Sequence, residues 1–142
     1  MLDLGAGTGA LTTPLVNAGA RVIAVELHPA RAAALRNRLA DPPRVRVVQA
    51  DLVRFGLPRK PFRVVANPPY SVSATLLRRL LERRGAMYAA DLVLPGWAVN
   101  RWVAAQPGGR RWVASSGLWV PPSAFVPAPP VGSAVLRLRR RG

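Results

Sequence analysis

Asn67-Pro68-Pro69-Tyr70 combines residue types that suit a reaction at an amine whose lone pair is delocalised into an aromatic ring. Such a nitrogen is a poor nucleophile until acceptors hold its two N–H groups and aim it at an electrophile. The Asn67 side-chain carbonyl and the Pro68 backbone carbonyl are two such acceptors, on a loop that the prolines stiffen. Tyr70 adds a flat face for stacking a base. No strong general base is needed in this scheme. A plain proline-rich turn is the bland alternative.

A second cluster suits a cofactor. Gly5-Ala6-Gly7-Thr8-Gly9 has glycines at alternate positions, which permit positive φ and close approach of a ligand to the backbone. The helix amides beyond such a loop can meet a carboxylate. By itself this spacing also fits many nucleotide-binding loops. Glu26 and Asp51 narrow the choice. Each follows an apolar run, where one carboxylate can take both hydroxyls of a ribose and the other can accept from the amino group of an adenine ring. Their neighbours Leu27 and Leu52 complete the expected contacts. Asp3, ahead of the loop, can orient a ligand ammonium or can be an ordinary turn acid. His28 is expected on the surface or at a helix cap.

The elements that would position these residues alternate between strand and helix. Strands are predicted at Leu2 to Leu4, Arg21 to Glu26, Val45 to Gln49, Arg63 to Ala66 and Ala86 to Leu94; the second has apolar residues on both faces, as a buried parallel strand requires. Between them lie a helix from Gly9 to Ala18 with Leu11, Leu15 and Val16 inward, and another opened by Pro29 and running to Leu39. A third follows Tyr70, with Leu76, Leu77, Leu80 and Leu81 on one face and Arg78, Arg79 and Glu82 pointing away. After a short helix from Trp97 to Ala105, two last strands, Arg110 to Val120 and Val131 to Leu138, flank a proline-rich connection. Trp97, Trp102, Trp112 and Trp119 are expected as core or edge packing. The pattern predicts one α/β doubly wound domain.

Composition limits the partners. Twenty arginines and one lysine stand against six acids, a net charge of +15 that attracts polyanions, nucleic acid above all. Half of the residues are apolar, enough for a core. No apolar run reaches the roughly 18 residues that span a bilayer, so no membrane contact is expected, and no signal peptide is visible. With no cysteine and one histidine, no metal site is expected. A cytoplasmic monomer is the simplest expectation.

With Leu4 to Thr12, Glu26, Asp51 and Asn67-Pro68-Pro69-Tyr70 in place, the chain resembles the rRNA adenine N6-methyltransferases of the Erm and KsgA types. Phe125-Val126-Pro127-Ala128-Pro129-Pro130-Val131-Gly132-Ser133 matches that family's F-x-P-x-P-x-V-x-S pattern. The resemblance covers Leu2 to about Arg139 and is strongest, in style, to actinobacterial Erm-like enzymes acting on 23S rRNA. It implies a Rossmann-like class I methyltransferase fold, a mostly parallel seven-stranded sheet with an antiparallel strand at the C-terminal end. It also implies S-adenosylmethionine as cofactor, with Asp3, Gly5, Gly7, Gly9, Glu26, Leu27, Asp51, Leu52 and Asn67 around it. Asn67, Pro68, Tyr70 and Phe125 would handle the flipped adenine, and Phe125 would pack on it.

Phosphate contacts are expected from Arg78, Arg79, Arg110, Arg111, Arg137, Arg139, Arg140 and Arg141. Residues 1–142 are expected to form the methyltransferase domain, without the family's N-terminal cover segment, the start of its first strand, or its helical C-terminal domain. Gly132 stands where an acid is common. Methylation of DNA adenine or of a protein glutamine, and a catalytically silent RNA-binding fragment, remain the alternatives.

Overall fold

Strand β1 (Leu2–Leu4) has no exposed residue, as a strand flanked on both sides and covered on both faces requires. It pairs in parallel with β2 (Val22–Glu26) on one side and β4 (Phe62–Ala66) on the other. Beyond them lie β3 (Val45–Gln49) and β5 (Met87–Pro95), also parallel. The chain winds outward from β1 to β3 and then returns to lay β4 against the free side of β1. The winding reverses between β1 and β4, and open α/β sheets bind ligands at such a crevice, outside the carboxyl ends of the strands.

The last two strands differ. After β6 (Trp112–Val120) the chain turns back, and β7 (Ser133–Arg140) enters between β5 and β6, antiparallel to both. The order is β3-β2-β1-β4-β5-β7-β6. This is the doubly wound, mostly parallel seven-stranded sheet that the sequence predicts, with its one antiparallel strand at the C-terminal end. The computed structural model describes residues 1–39, 43–82 and 84–142.

Among the described residues, four helices cover the sheet: α1 (Thr12–Asn17), α2 (Pro29–Arg38), α3 (Tyr70–Leu80) and α4 (Gly96–Ala105). Leu76, Leu77 and Leu80 of α3 join Leu4, Val64 and Leu92 in the main core, each worth about 1.5–3 kcal/mol of burial. Ala98 and Val99 of α4 pack with Ala134, Leu136 and Leu138 of β7 in the same core. A smaller cluster joins Leu35 of α2 to Ala6 and Ala24. On another face, Asp91 of β5 accepts from Arg63 of β4 at 2.5 and 3.0 Å and from Arg139 of β7 at 2.8 Å, tying three strands together.

Several details depart from the sequence reading. The first helix begins at Thr12 rather than Gly9, because Gly9 has φ +89°, outside the helical region. Leu11 and Leu15 are therefore only half-buried, while Thr12 and Val16 are buried. Leu81 lies just beyond α3 and is half-buried. The segment Gly109–Arg111 is a 3-10 turn, so β6 starts at Trp112. β7 starts two residues later and ends two residues later than expected. Arg79 does not point away to solvent: its guanidinium donates to the carbonyls of Leu52, at 3.3 Å, and Phe55. Trp112 is in the core and Trp102 packs against it, but Trp97 and Trp119 are exposed.

Candidate active site

The carboxyl ends of β1, β2, β3 and β4 bring the expected site residues to one edge of the sheet. The glycine loop leaves β1 and is tied at once to β2, since the amides of Gly5 and Ala6 both donate to the Val25 carbonyl at 2.9 and 3.0 Å. Gly5, Gly7 and Gly9 all have positive φ. At Gly9 a Cβ would lie 2.6 Å from Leu35 Cδ1 and 2.7 Å from Arg38 Nη2, so the close packing of α2 also requires glycine. Arg38 donates to the Thr8 carbonyl and clamps the loop from outside. No local pattern marked Arg38, because the contact spans the loop and the far end of α2.

Glu26, at the end of β2, is buried and faces this loop. Its Oε2 accepts from the Gly7 amide at 2.7 Å and its Oε1 from the His28 amide at 2.9 Å. His28 is the exposed N-cap residue of α2, and its side chain makes no cap bond. Asp51 lies two residues beyond β3, half-exposed, with Oδ1 accepting from the Val53 amide at 2.9 Å. Leu27 is exposed beside Glu26, and Leu52 packs against Gly5, where a Cβ would approach it to 3.2 Å.

Asp3 is not a turn acid. It lies inside β1, fully buried, and its Oδ2 accepts from the Thr12 hydroxyl at 2.6 Å. Its Oδ1 is buried without any hydrogen-bond partner. Burial pushes the carboxyl up to about 6; the Thr12 hydrogen bond opposes this and the nearby Glu26 charge adds to it.

Asn67-Pro68-Pro69-Tyr70 follows β4 directly, across the winding-reversal crevice from the loop after β1. Pro68 is buried, while Asn67 and Tyr70 are exposed. Pro69 is extended and caps α3, so Tyr70 is the first helical residue. The Tyr70 ring meets Trp97 edge-on, with centroids 4.9 Å apart. Trp97 lies in the first turn of α4 just past the end of β5 and so belongs to the same edge, which the sequence reading did not assign it. Phe125, half-buried, stands in the connection from β6 to β7. Both ends of that connection, Val120 and Ser133, lie level with Pro95, the last residue of β5.

Among the arginines expected to hold phosphates, Arg78, Arg110, Arg137 and Arg141 are exposed. Arg79 and Arg139 are engaged in holding the fold instead, and Arg140 donates to the Gly85 carbonyl at 3.3 Å. Among the described residues no group of three or more acids and histidines is placed to hold a metal, and no helix is long and apolar enough to cross a membrane.

Comparison with known proteins agrees with this architecture. Residues 1–142 match the family model described as ribosomal RNA adenine dimethylase. The chain is 35% identical over 155 residues to ribosomal RNA small subunit methyltransferase A of Synechococcus sp. (strain JA-2-3B'a(2-13)), covering 99% of this chain and 55% of that protein. It is 36% identical over 149 residues to the mycinamicin-resistance protein MyrB of Micromonospora griseorubida, covering 99% and 47%. The crystal structure of the 23S rRNA methyltransferase ErmE superposes with a TM-score of 0.87 at 28% identity, covering 99% of this chain and 61% of that one. A dimethyladenosine transferase from Plasmodium falciparum shares the fold, with a TM-score of 0.80 at 22% identity, covering 99% and 55%. The chain spans about half the length of the curated relatives it matches. A family model met along the whole chain, together with relatives above one-third identity, places this protein in the ribosomal RNA adenine dimethylase family.

Proposed function

We propose that the chain is an S-adenosylmethionine-dependent methyltransferase domain that transfers methyl groups to the exocyclic N6 amine of an adenine in rRNA, and that the substrate is 23S rRNA. The observation that carries this reading is the position of Asn67-Pro68-Pro69-Tyr70 at the β1–β4 crevice, facing the edge that the glycine loop, Glu26 and Asp51 share. Membership of the family supports adenine in rRNA as the target, and the likeness to the 23S rRNA methyltransferase ErmE supports the 23S molecule.

The residues present suit the cofactor. Asp3 Oδ1 is a buried acceptor with nothing to accept from, a place for an ammonium or a water that serves one. Glu26 is already held in place by two backbone amides, with its carboxylate turned to the loop, where ribose hydroxyls would meet it. Leu27, Leu52 and Asp51 would border the adenine ring. When bound, S-adenosylmethionine supplies a methyl group on a sulfonium, activated for transfer to a nucleophile.

The rest of the chemistry falls to the chain. Asn67 Oδ1 and the Pro68 carbonyl accept the two N–H groups of the target amine and turn its lone pair toward the cofactor edge. Tyr70 and Phe125 stack on the base once it has left its helix, at a flipping cost of a few kcal/mol that is smaller in an RNA loop. The amine carries the new methyl as a cation only briefly, and its proton passes to solvent.

Methyl incorporation from labelled S-adenosylmethionine tests this reading, with 23S rRNA, 16S rRNA, duplex DNA and release factor as parallel substrates. Label in a 23S adenine is the expected result. Label in 16S rRNA alone would correct the substrate, and label in DNA or protein alone would overturn the rRNA assignment. RNA retained without any transfer would identify a catalytically silent RNA-binding domain.

A further inference from the structure

Three large aromatic rings remain in solvent along the carboxyl edge: Tyr70 is 47% exposed, Trp97 50% and Trp119 61%. Two of them touch, and backbone contacts link the third to that pair. Tyr70 meets Trp97 edge-on at 4.9 Å. Gly96, just before Trp97, donates its amide to the Gly132 carbonyl at 3.0 Å. Trp119 covers Gly132 so closely that a Cβ there would lie 2.6 Å from Trp119 Cζ2 and 3.0 Å from Nε1.

Local irregularities build this arrangement. The pairing of β6 with β7 steps from Ser116↔Leu136 to Trp119↔Ala134, one residue too many on β6. Strict alternation would have set Leu118 opposite Ala134. The bulge sets Trp119 there instead, on the sheet face that carries α4, and leaves Leu118 in solvent. Bulges beside active sites commonly redirect a side chain in this way. The absence of a side chain at Gly132 then lets the indole settle against the backbone. Fixing a large apolar ring while leaving most of it in water gains little for folding, which points to a ligand.

Resting on the rRNA reading, we propose that Trp119, seated on Gly132 and tied through the Gly96–Gly132 hydrogen bond to the start of α4, is a stacking platform for the unpaired nucleotide next to the target adenine. An unpaired base is the occupant that suits exposed aromatic faces on a chain of net charge +15, since every base has a π-face and its phosphate is drawn to a chain of that charge. The platform would hold the strand at two successive bases, the target on Tyr70 and its neighbour on Trp119.

The test is binding of a fluorescently labelled hairpin RNA with an unpaired adenine-containing loop, measured with the full chain. A second hairpin lacks the base at the position beside the target. Trp119→Ala should weaken binding of the first hairpin about tenfold and leave the abasic one unchanged, while Trp119→Phe keeps most of the affinity. Gly132→Ala, which pushes the indole off its seat, should reproduce the loss and add nothing to Trp119→Ala. Unchanged thermal midpoints show that the variants are folded.

Equal affinity of wild type and Trp119→Ala would overturn the platform and leave the rRNA reading standing. So would equal weakening for both hairpins, which assigns Trp119 a role in shape or charge. Failure of the wild-type chain to bind either hairpin would remove the rRNA reading itself, and the platform with it.

Discussion

Asn67 and Asp3 carry opposite kinds of information. Asn67 is exposed and lies in a stiff loop, so its removal should leave the fold alone. Asn67→Ala is expected to lower methyl transfer at least about a hundredfold with S-adenosylmethionine affinity nearly intact, measured by single-turnover labelling and titration calorimetry. Loss of cofactor binding in that variant would leave Asn67 only the cofactor contact that the resemblance also implies and count against its role in positioning the amine. Asp3 is buried, and its carboxyl is raised from 3.8 to about 6. The folded chain therefore holds a proton that the unfolded chain releases between those values, so this group favours folding below about pH 4 and stops doing so as pH rises through 6. The loss is on the order of 2–3 kcal/mol. Urea midpoints from pH 4 to 7 should fall more steeply for wild type than for Asp3→Asn, and parallel curves would contradict the assignment. Asp3, Gly5, Glu26 and Asn67 were legible because each is fixed by a short interval from a strand end. The buried state of Asp3 was not, since only the pairing of β1 on both sides creates it.

At the scale of elements, the glycine loop and its two supports form one unit. Gly9 combines φ +89° with side-chain atoms of Leu35 and Arg38 where a Cβ would go. Gly9→Ala should cost about 1–3 kcal/mol in urea unfolding and weaken cofactor binding, whereas the same change at Gly19 has open space around it and only the strain of its own φ. Equal losses at both positions would show that packing by α2 is irrelevant. The run of strands and the leucine stripe of α3 were readable from periodicity, which is a local signal. The start of α1 was misread because apolar spacing says nothing of φ at Gly9. Trp119 was misjudged because the bulge that turns it exists only in the register between β6 and β7.

For the whole molecule, charge dominates. A net +15 predicts RNA binding that weakens steeply with salt. Composition made that legible, but not which arginines contribute. The structure divides them, and the division is testable. Arg110→Ala and Arg141→Ala, at exposed residues, should each lower the slope of log affinity against log salt by about one. Arg139→Ala should instead lower the unfolding midpoint with little change in slope, because its guanidinium is bound to Asp91. An unchanged slope in both Arg110→Ala and Arg141→Ala would place the RNA on another surface.

The position of β7 has a bearing on how the protein is made. Its residues follow those of β5 and β6 in the chain, yet they occupy an interior place in the sheet, between these two strands that leave the ribosome earlier. Until Arg140 has emerged, β5 offers an open row of amides and carbonyls, and Leu92 and Leu94 lack the neighbour that closes over them. A nascent chain in that state is exposed to pairing with any other free strand edge. Disruption of β7 would therefore cut the sheet in two rather than trim its border, releasing β6 along with it.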